Sequence, residues 1–323
     1  MNGSEQKFGS GLISESVKSQ NFLRALLAGI VLLGSAAAQD DSGPILFKAE
    51  GLKKGAVVRM DTQALLNLYG KEMKQIRRES LRTIAVLEDN GTAPVRIKVS
   101  YGEIRTQTNL SKVPSGKEPV SNKSYIVHEK EGKSEVFDLR GKPAPQEEAD
   151  WVARDFPSLG QLNPISMTLH AQKLACGDEI SGAESLHPMI EKRLSVLGVG
   201  RVEKFSARLL ARHKFQGEET AIFLLTLQTG PSSLFQDAKM RLTGQLVVSV
   251  PSGRPIALKF DGPVQVNLGS SENDSTPVQG TLTLTAITQT ELPESQTPPK
   301  TTSDDDDLLI VPGTGLRVGR RLR

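Results

Sequence analysis

Four histidines, two adjacent carboxylate pairs and one thiol are the side chains of this 323-residue chain best suited to chemistry. His128, His170, His187 and His213 stand far apart, and none belongs to the two-histidine helical motif that holds catalytic zinc. Each reads as a structural or solvated imidazole, and His128-Glu129, at a predicted strand end, is the nearest approach to a ligand pair. Glu147-Glu148 and Asp178-Glu179 suit acid–base work, but adjacency in sequence does not set two carboxylates across a substrate. Cys176 is the sole cysteine, so neither an intramolecular disulfide nor a thiolate zinc cluster can be assembled within one chain. A lone, unpaired thiol of this kind is expected to be buried.

The phosphate-binding and nucleophile signatures are missing: there is no Gly-x-Ser-x-Gly elbow, no Walker-type loop and no dinucleotide fingerprint. Gly313-Thr-Gly315 precedes no helix, and Asp304–Asp307 lacks the glycine turn and closing glutamate of a calcium loop. Basic residues gather over 71–82 and 192–214, yet acids interleave them, the net charge is only +3 and aromatics make up 4% of the chain. That balance argues against nucleic acid as a partner. No catalytic, cofactor-binding or metal-binding residue is assigned, no cofactor is expected, and the ligand-binding residues are unknown.

The elements that would position a site are mostly strands. Val95, Ile97, Val99 and Tyr101 alternate with Arg96, Lys98 and Ser100, the period of a strand with one buried face. Asp89-Asn90-Gly91 before them predicts a hairpin, since Asn and Gly supply positive φ. Alternation returns in Ser124–His128, Ser134–Leu139, Met240–Val250, Ile256–Phe260, Val264–Leu268 and Thr281–Thr290. Two helices are predicted, over Gln146–Phe156 and Glu184–Leu197, from apolar residues at helical spacing. Asp61–Ile76 fits a helix by its apolar spacing and a strand by Gly70 and its neighbours. The expected class is mainly β: an antiparallel curved sheet, or two sheet halves (45–142 and 199–290) joined by a helical segment, with α+β as the alternative. The echo between Asp138-Leu-Arg-Gly-Lys-Pro143 and Asp261-Gly-Pro263 is too short to establish a duplication.

The two ends differ from this scaffold. Ala25–Gly34 is an uncharged apolar run after Arg24 and before Ser35-Ala-Ala-Ala38, the order of a secretory signal peptide. Small side chains at Ala36 and Ala38 place the cut before Gln39, so residues 1–38 are read as leader and 39–290 as the β-rich region. The run is short for a membrane span, which needs about 20 apolar residues. From Glu291 the composition turns to Pro, Ser and Thr, then to an acidic and a basic block, and residues 291–323 are expected to be a disordered tail.

With Phe137-Asp-Leu-Arg-Gly141 and Leu174-Ala-Cys-Gly-Asp178 set between two strand-rich halves, residues 45–290 resemble uncharacterised exported bacterial β-rich proteins of unknown function. That resemblance implies no catalytic residues. In architecture the chain is similar to envelope lipid or lipoprotein carriers. The favoured expectation is a periplasmic or extracellular, non-enzymatic binding or carrier protein for an apolar ligand or envelope component, with no membrane span after cleavage. The alternatives are an envelope-associated structural or interaction protein and an unrecognised hydrolase using dispersed carboxylates and histidines.

Overall fold

Alternating residues pair into one large antiparallel sheet of 12 strands that does not close into a barrel, beside a separate two-stranded sheet. The computed structural model describes residues 43–110, 116–157, 159–195, 200–215, 218–231, 238–268 and 276–293. The leader with its cleavage positions Ala36, Ala38 and Gln39, and the tail from residue 294, lie outside the described residues. The strands in chain order are β1 (Ile45–Leu46), β2 (Val57–Tyr69), β3 (Met73–Asp89), β4 (Pro94–Tyr101), β5 (Arg105–Thr108), β6 (Gly116–Lys117), β7 (Ser124–Lys130) and β8 (Lys133–Phe137). They continue with β9 (Lys173–Leu174), β10 (Val202–Phe215), β11 (Glu218–Thr229), β12 (Lys239–Ser249), β13 (Pro255–Leu268) and β14 (Thr276–Glu291). Helix α1 spans Gln146–Asp155 and α2 Pro164–Leu169; a 3₁₀ turn over Ala183–Leu186 leads into α3, His187–Ser195.

The main sheet runs β10-β11-β12-β13-β14-β2-β3-β4-β7-β8, with β5 on β3 and β6 on β5. Its two strand-rich stretches meet where β14 pairs β2 along an unbroken register from Val57↔Glu291 to Tyr69↔Gln279. The Asn90-Gly91 hairpin forms as expected: Gly91 takes φ 89° and Asn90 Oδ1 accepts from the amides of Thr92 and Ala93. The ambiguous segment Asp61–Ile76 is the β2–β3 hairpin. Its helical spacing arises because apolar residues occupy both faces, Leu66 and Leu68 on one and Leu65 and Tyr69 on the other.

Two expectations need correction. Ile256–Phe260 and Val264–Leu268 are not separate strands but parts of β13, which passes through Gly262 and Pro263. The ladder to β12 has no partners at those two residues, so the missing proline N–H breaks no bond there, while Pro263↔Thr281 keeps the β14 ladder continuous. A Cβ on Gly262 would lie 2.4 Å from the Arg241 carbonyl oxygen, so only glycine permits this approach. The echo with Asp138–Pro143 is therefore not structural, since Asp138 caps a true turn through the amides of Arg140 and Lys142. The predicted helix over Glu184–Leu197 begins as the 3₁₀ turn and continues as α3 to Ser195, its last two residues lying outside the described ones.

Each end of the main strand path is covered in part. Gly177–Ile180 lies along β10 through bonds between Gly177 N and Leu209 O (2.7 Å), Leu209 N and Asp178 O (2.8 Å), and Ile180 N and Ala207 O (2.9 Å). At β8, Ala144 N donates to Val136 O (3.0 Å) as the chain folds back.

Candidate functional site

All the described helices pack on one face of the sheet, here the inner face, over two separate apolar clusters. The first joins Leu66, Phe223, Leu225, Leu242, Phe260 and Leu284 to Leu169 of α2 and to Ile190 and Leu194 of α3. The second joins Val86, Ile97, Val99 and Val127 to Val152 of α1, with Trp151 and Phe156 packed at its border. Between the clusters, along β2 and β3, the inner face carries Met60, Thr62, Arg78, Ser80 and Arg82, all half-buried. The spacing is enforced by alternation: each of these residues shares a face with Leu66 and Val86, because strand side chains repeat every second residue.

Arginine organises this gap. Arg78 Nη1 donates to Glu118 Oε1 (2.5 Å) and Thr106 Oγ1 (3.2 Å), and its guanidinium lies 5.5 Å from the Trp151 ring centroid. Arg154 lies 5.3 Å from the same ring, and Arg82 lies 5.6 Å from that of Phe156. Arg82 Nη1 donates to Asp155 Oδ2 (2.9 Å), which also accepts from the Tyr101 hydroxyl (3.1 Å). Further along α1, Glu148 accepts from Lys123 (2.7 Å) and the Tyr125 hydroxyl (2.5 Å).

These contacts shift three titrating groups. Burial pushes the Tyr101 phenol well above its ordinary value, with the Asp155 charge and hydrogen bond adding to it and the Arg82 charge opposing it. Burial likewise raises Tyr125, aided by its bond to Glu148. For Glu148, burial acts upward, but the Lys123 and Tyr125 hydrogen bonds and the Lys123 charge outweigh it and hold the carboxyl low. The gap thus offers a cationic, hydrogen-bonding floor between aromatic rings and two dry apolar regions. Each guanidinium has five N–H groups, and the bonds above use only part of that set.

The residues singled out from sequence do not converge. His128, His170 and His213 are exposed, while His187 stacks edge-on against Phe205 at 6.3 Å. No group of three or more His, Cys, Asp or Glu suited to a metal occurs among the described residues. Of the carboxylate pairs, Glu148 is tied to Lys123 and Tyr125, and Asp178 accepts from the Ala175 amide to close its own turn. Cys176 corrects the expectation of burial: it is exposed, because it sits in the Ala175–Asp178 turn rather than on a core-facing strand position. Sequence reasoning marked residues 71–82 only as a basic patch. Alternation separates them, leaving Arg77 exposed beside Glu79 and placing Arg78 and Arg82 on the inner face. The period-two pattern was the available signal, obscured by the ambiguity of Asp61–Ile76.

No protein-family model and no curated protein matches the chain. Among solved structures, a LolA superfamily protein from Nitrosomonas europaea aligns with 76% of this chain and 89% of its own, at 12% identity and a TM-score of 0.16. DynF from the dynemicin biosynthesis pathway of Micromonospora chersina aligns with 79% of this chain and 89% of its own, at 6% identity and a TM-score of 0.19. TM-scores this low do not establish a shared fold. No helix among the described residues is long and apolar enough to cross a membrane.

Proposed function

We propose that the chain is a non-enzymatic binding or carrier protein that takes an amphiphile with an anionic head on the inner face, between the two helix-covered clusters. One observation carries this reading: Met60, Thr62, Arg78, Ser80 and Arg82 are only partly buried on the inner face, between regions that are dry. An apolar body would lie against Met60 and the cluster borders, and the head would draw on spare arginine donors. In this reading residues 1–38 are removed on export and the protein works outside the cytoplasm.

Trp151 is the only tryptophan of the chain and borders the gap, so its emission reports on occupancy. Organic extraction of the purified protein should release a co-purified amphiphile. Titration of the extracted protein with oleate should then give a saturable change in Trp151 emission. Arg78→Gln, which removes a charged donor, should weaken that binding about tenfold. An empty extract together with emission indifferent to oleate would overturn the proposal.

A further inference from the structure

A pocket of about 170 Å³ opens between β2 and β14 on the outer face of the sheet, opposite the described helices. Two cross-strand pairs line it, Asp61↔Ile287 and Gln63↔Thr285. Asp61 and Gln63 reach this face because strand side chains alternate, and Leu66 and Leu68 take the other. Ile287 supplies an apolar wall, and the other three supply a carboxylate, an amide and a hydroxyl. Among positions opposite, diagonal or two residues along on this face, the added cations are Arg59, Arg77 and Lys259 and the added anions Glu79 and Asp261. With Asp61 included, the charges cancel. Two buried polar atoms of the same face lack a partner among the described residues. One is Arg59 Nε, two residues from Asp61; the other is Oε1 of Gln245, whose row runs through Lys259 to Thr285 and Gln63.

We propose that this pocket holds one neutral sugar ring of a glycan chain. Balanced charge gives neither an ammonium nor a carboxylate a net attraction, so recognition falls to hydrogen bonds. Hydroxyls both donate and accept. Vicinal hydroxyls on one ring can therefore serve the Asp61 carboxylate, the Gln63 amide and the Thr285 hydroxyl together, while ring C–H groups lie against Ile287. A ring hydroxyl beside Asp61 would also offer Arg59 an acceptor, and a buried donor gains most from being satisfied. The volume lies below the ~300 Å³ at which drug-sized sites begin, which suits a single ring better than a peptide or a lipid. Beyond the pocket the glycan has a polar track. Thr283, two residues from Thr285, leads across the sheet to Asp261, Thr243 and Thr226, all exposed or half-buried. Thr283 Oγ1 donates to Asp261 Oδ1 (3.1 Å), and three strand intervals make the track ~14 Å long. This site is separate from the inner face, so a glycan could hold the protein while an amphiphile occupies the other side.

The test applies the full chain to an array of immobilised neutral and charged oligosaccharides, then measures the best-retained glycan and its free monosaccharide by calorimetry. Neutral glycans should be retained ahead of charged ones. The monosaccharide should bind about tenfold more weakly than the oligosaccharide, because it leaves the track unused. Gln63→Ala and Thr285→Val should each weaken the oligosaccharide about tenfold with little change in the urea midpoint, since both lie on the outer face and Thr285→Val keeps a β-branched side chain. Thr243→Val should weaken the oligosaccharide but not the monosaccharide, and Gln279→Ala, on the same face away from the pocket, should change neither. An array that retains no neutral glycan overturns the proposal. So does a preference for charged glycans, equal affinity for ring and chain, or binding that is indifferent to Gln63→Ala and Thr285→Val in folded protein.

Discussion

The two ends of the sheet are built from the same alternating strands but are closed by different chemistry. Over β10–β14 the helices α2 and α3 contribute Ile165, Leu169, Ile190 and Leu194 to an aliphatic core that includes Phe47 and Phe223, whose rings lie 5.8 Å apart. Over β3, β4, β7 and β8 the single helix α1 fully buries only Val152, packs Ala149, Trp151 and Ala153 half-buried around it, and is tied down further by ion pairs, hydroxyls and arginine–aromatic contacts. Apolar closure is non-directional and strong per residue; polar closure depends on geometry and protonation. The first end is therefore expected to behave as scaffold and the second as the end that yields first.

The largest expected effect belongs to the scaffold. Phe223→Ala should cost about 3–5 kcal/mol, because it removes a fully buried ring in the centre of a close-packed cluster. Val152→Ala, at the other end, should cost about 2 kcal/mol from lost burial and a small cavity. Urea unfolding of both variants would measure the difference, and equal losses would break the contrast between the two ends.

Next comes the tie that holds α1. The Arg82 and Asp155 side chains are 12% and 29% exposed, so their bond is partly shielded from water. Arg82→Met leaves Asp155 short of one donor and should cost about 1–3 kcal/mol. The loss should be local: amide exchange should quicken in α1 while α3 keeps its protection, as for sub-global opening. Equal quickening in both helices would mean that the two ends unfold as one unit.

How much of this was legible in the sequence follows from where the information resides. Strands with one wet face announce themselves by period two, and Val95–Tyr101 and Met240–Val250 appear where that pattern puts them. The Asn90-Gly91 turn is equally local. β13 was split because Gly262-Pro263 reads locally as a turn, whereas its tolerance depends on the neighbouring ladder. Helix α2, only six residues long, went unseen although Asn163 and Pro164 provide its cap and first turn. The gap on the inner face was out of reach for a different reason. It requires knowing that β14 pairs β2 and that α1 and α3 cover different clusters, and such long-range facts leave no local trace. Arg78 and Arg82 could be seen as basic, but not as facing Trp151 and Phe156.

The subtlest way to separate the two ends is pH, because Tyr101, Tyr125 and Glu148 all belong to the α1 end. The folded pKa of both phenols is raised, so their contribution is complete below the unfolded value of about 10 and is lost as pH rises through the folded values. The folded pKa of Glu148 is lowered, so its contribution is present above the unfolded value of about 4.3 and is lost as pH falls through the folded one. The α1 end should accordingly weaken first on both sides of a neutral plateau, while the aliphatic end holds. Amide exchange or limited proteolysis at pH 10.5 should open α1 and β7 before α3 and β11. Tyr125→Phe should shift that alkaline onset upward, since it removes one group that must ionise, and should soften the acid limb, since Glu148 then relies on Lys123 alone. An alkaline transition that opens α3 together with α1, or one insensitive to Tyr125→Phe, would show that these phenols do not set the weakness of this end.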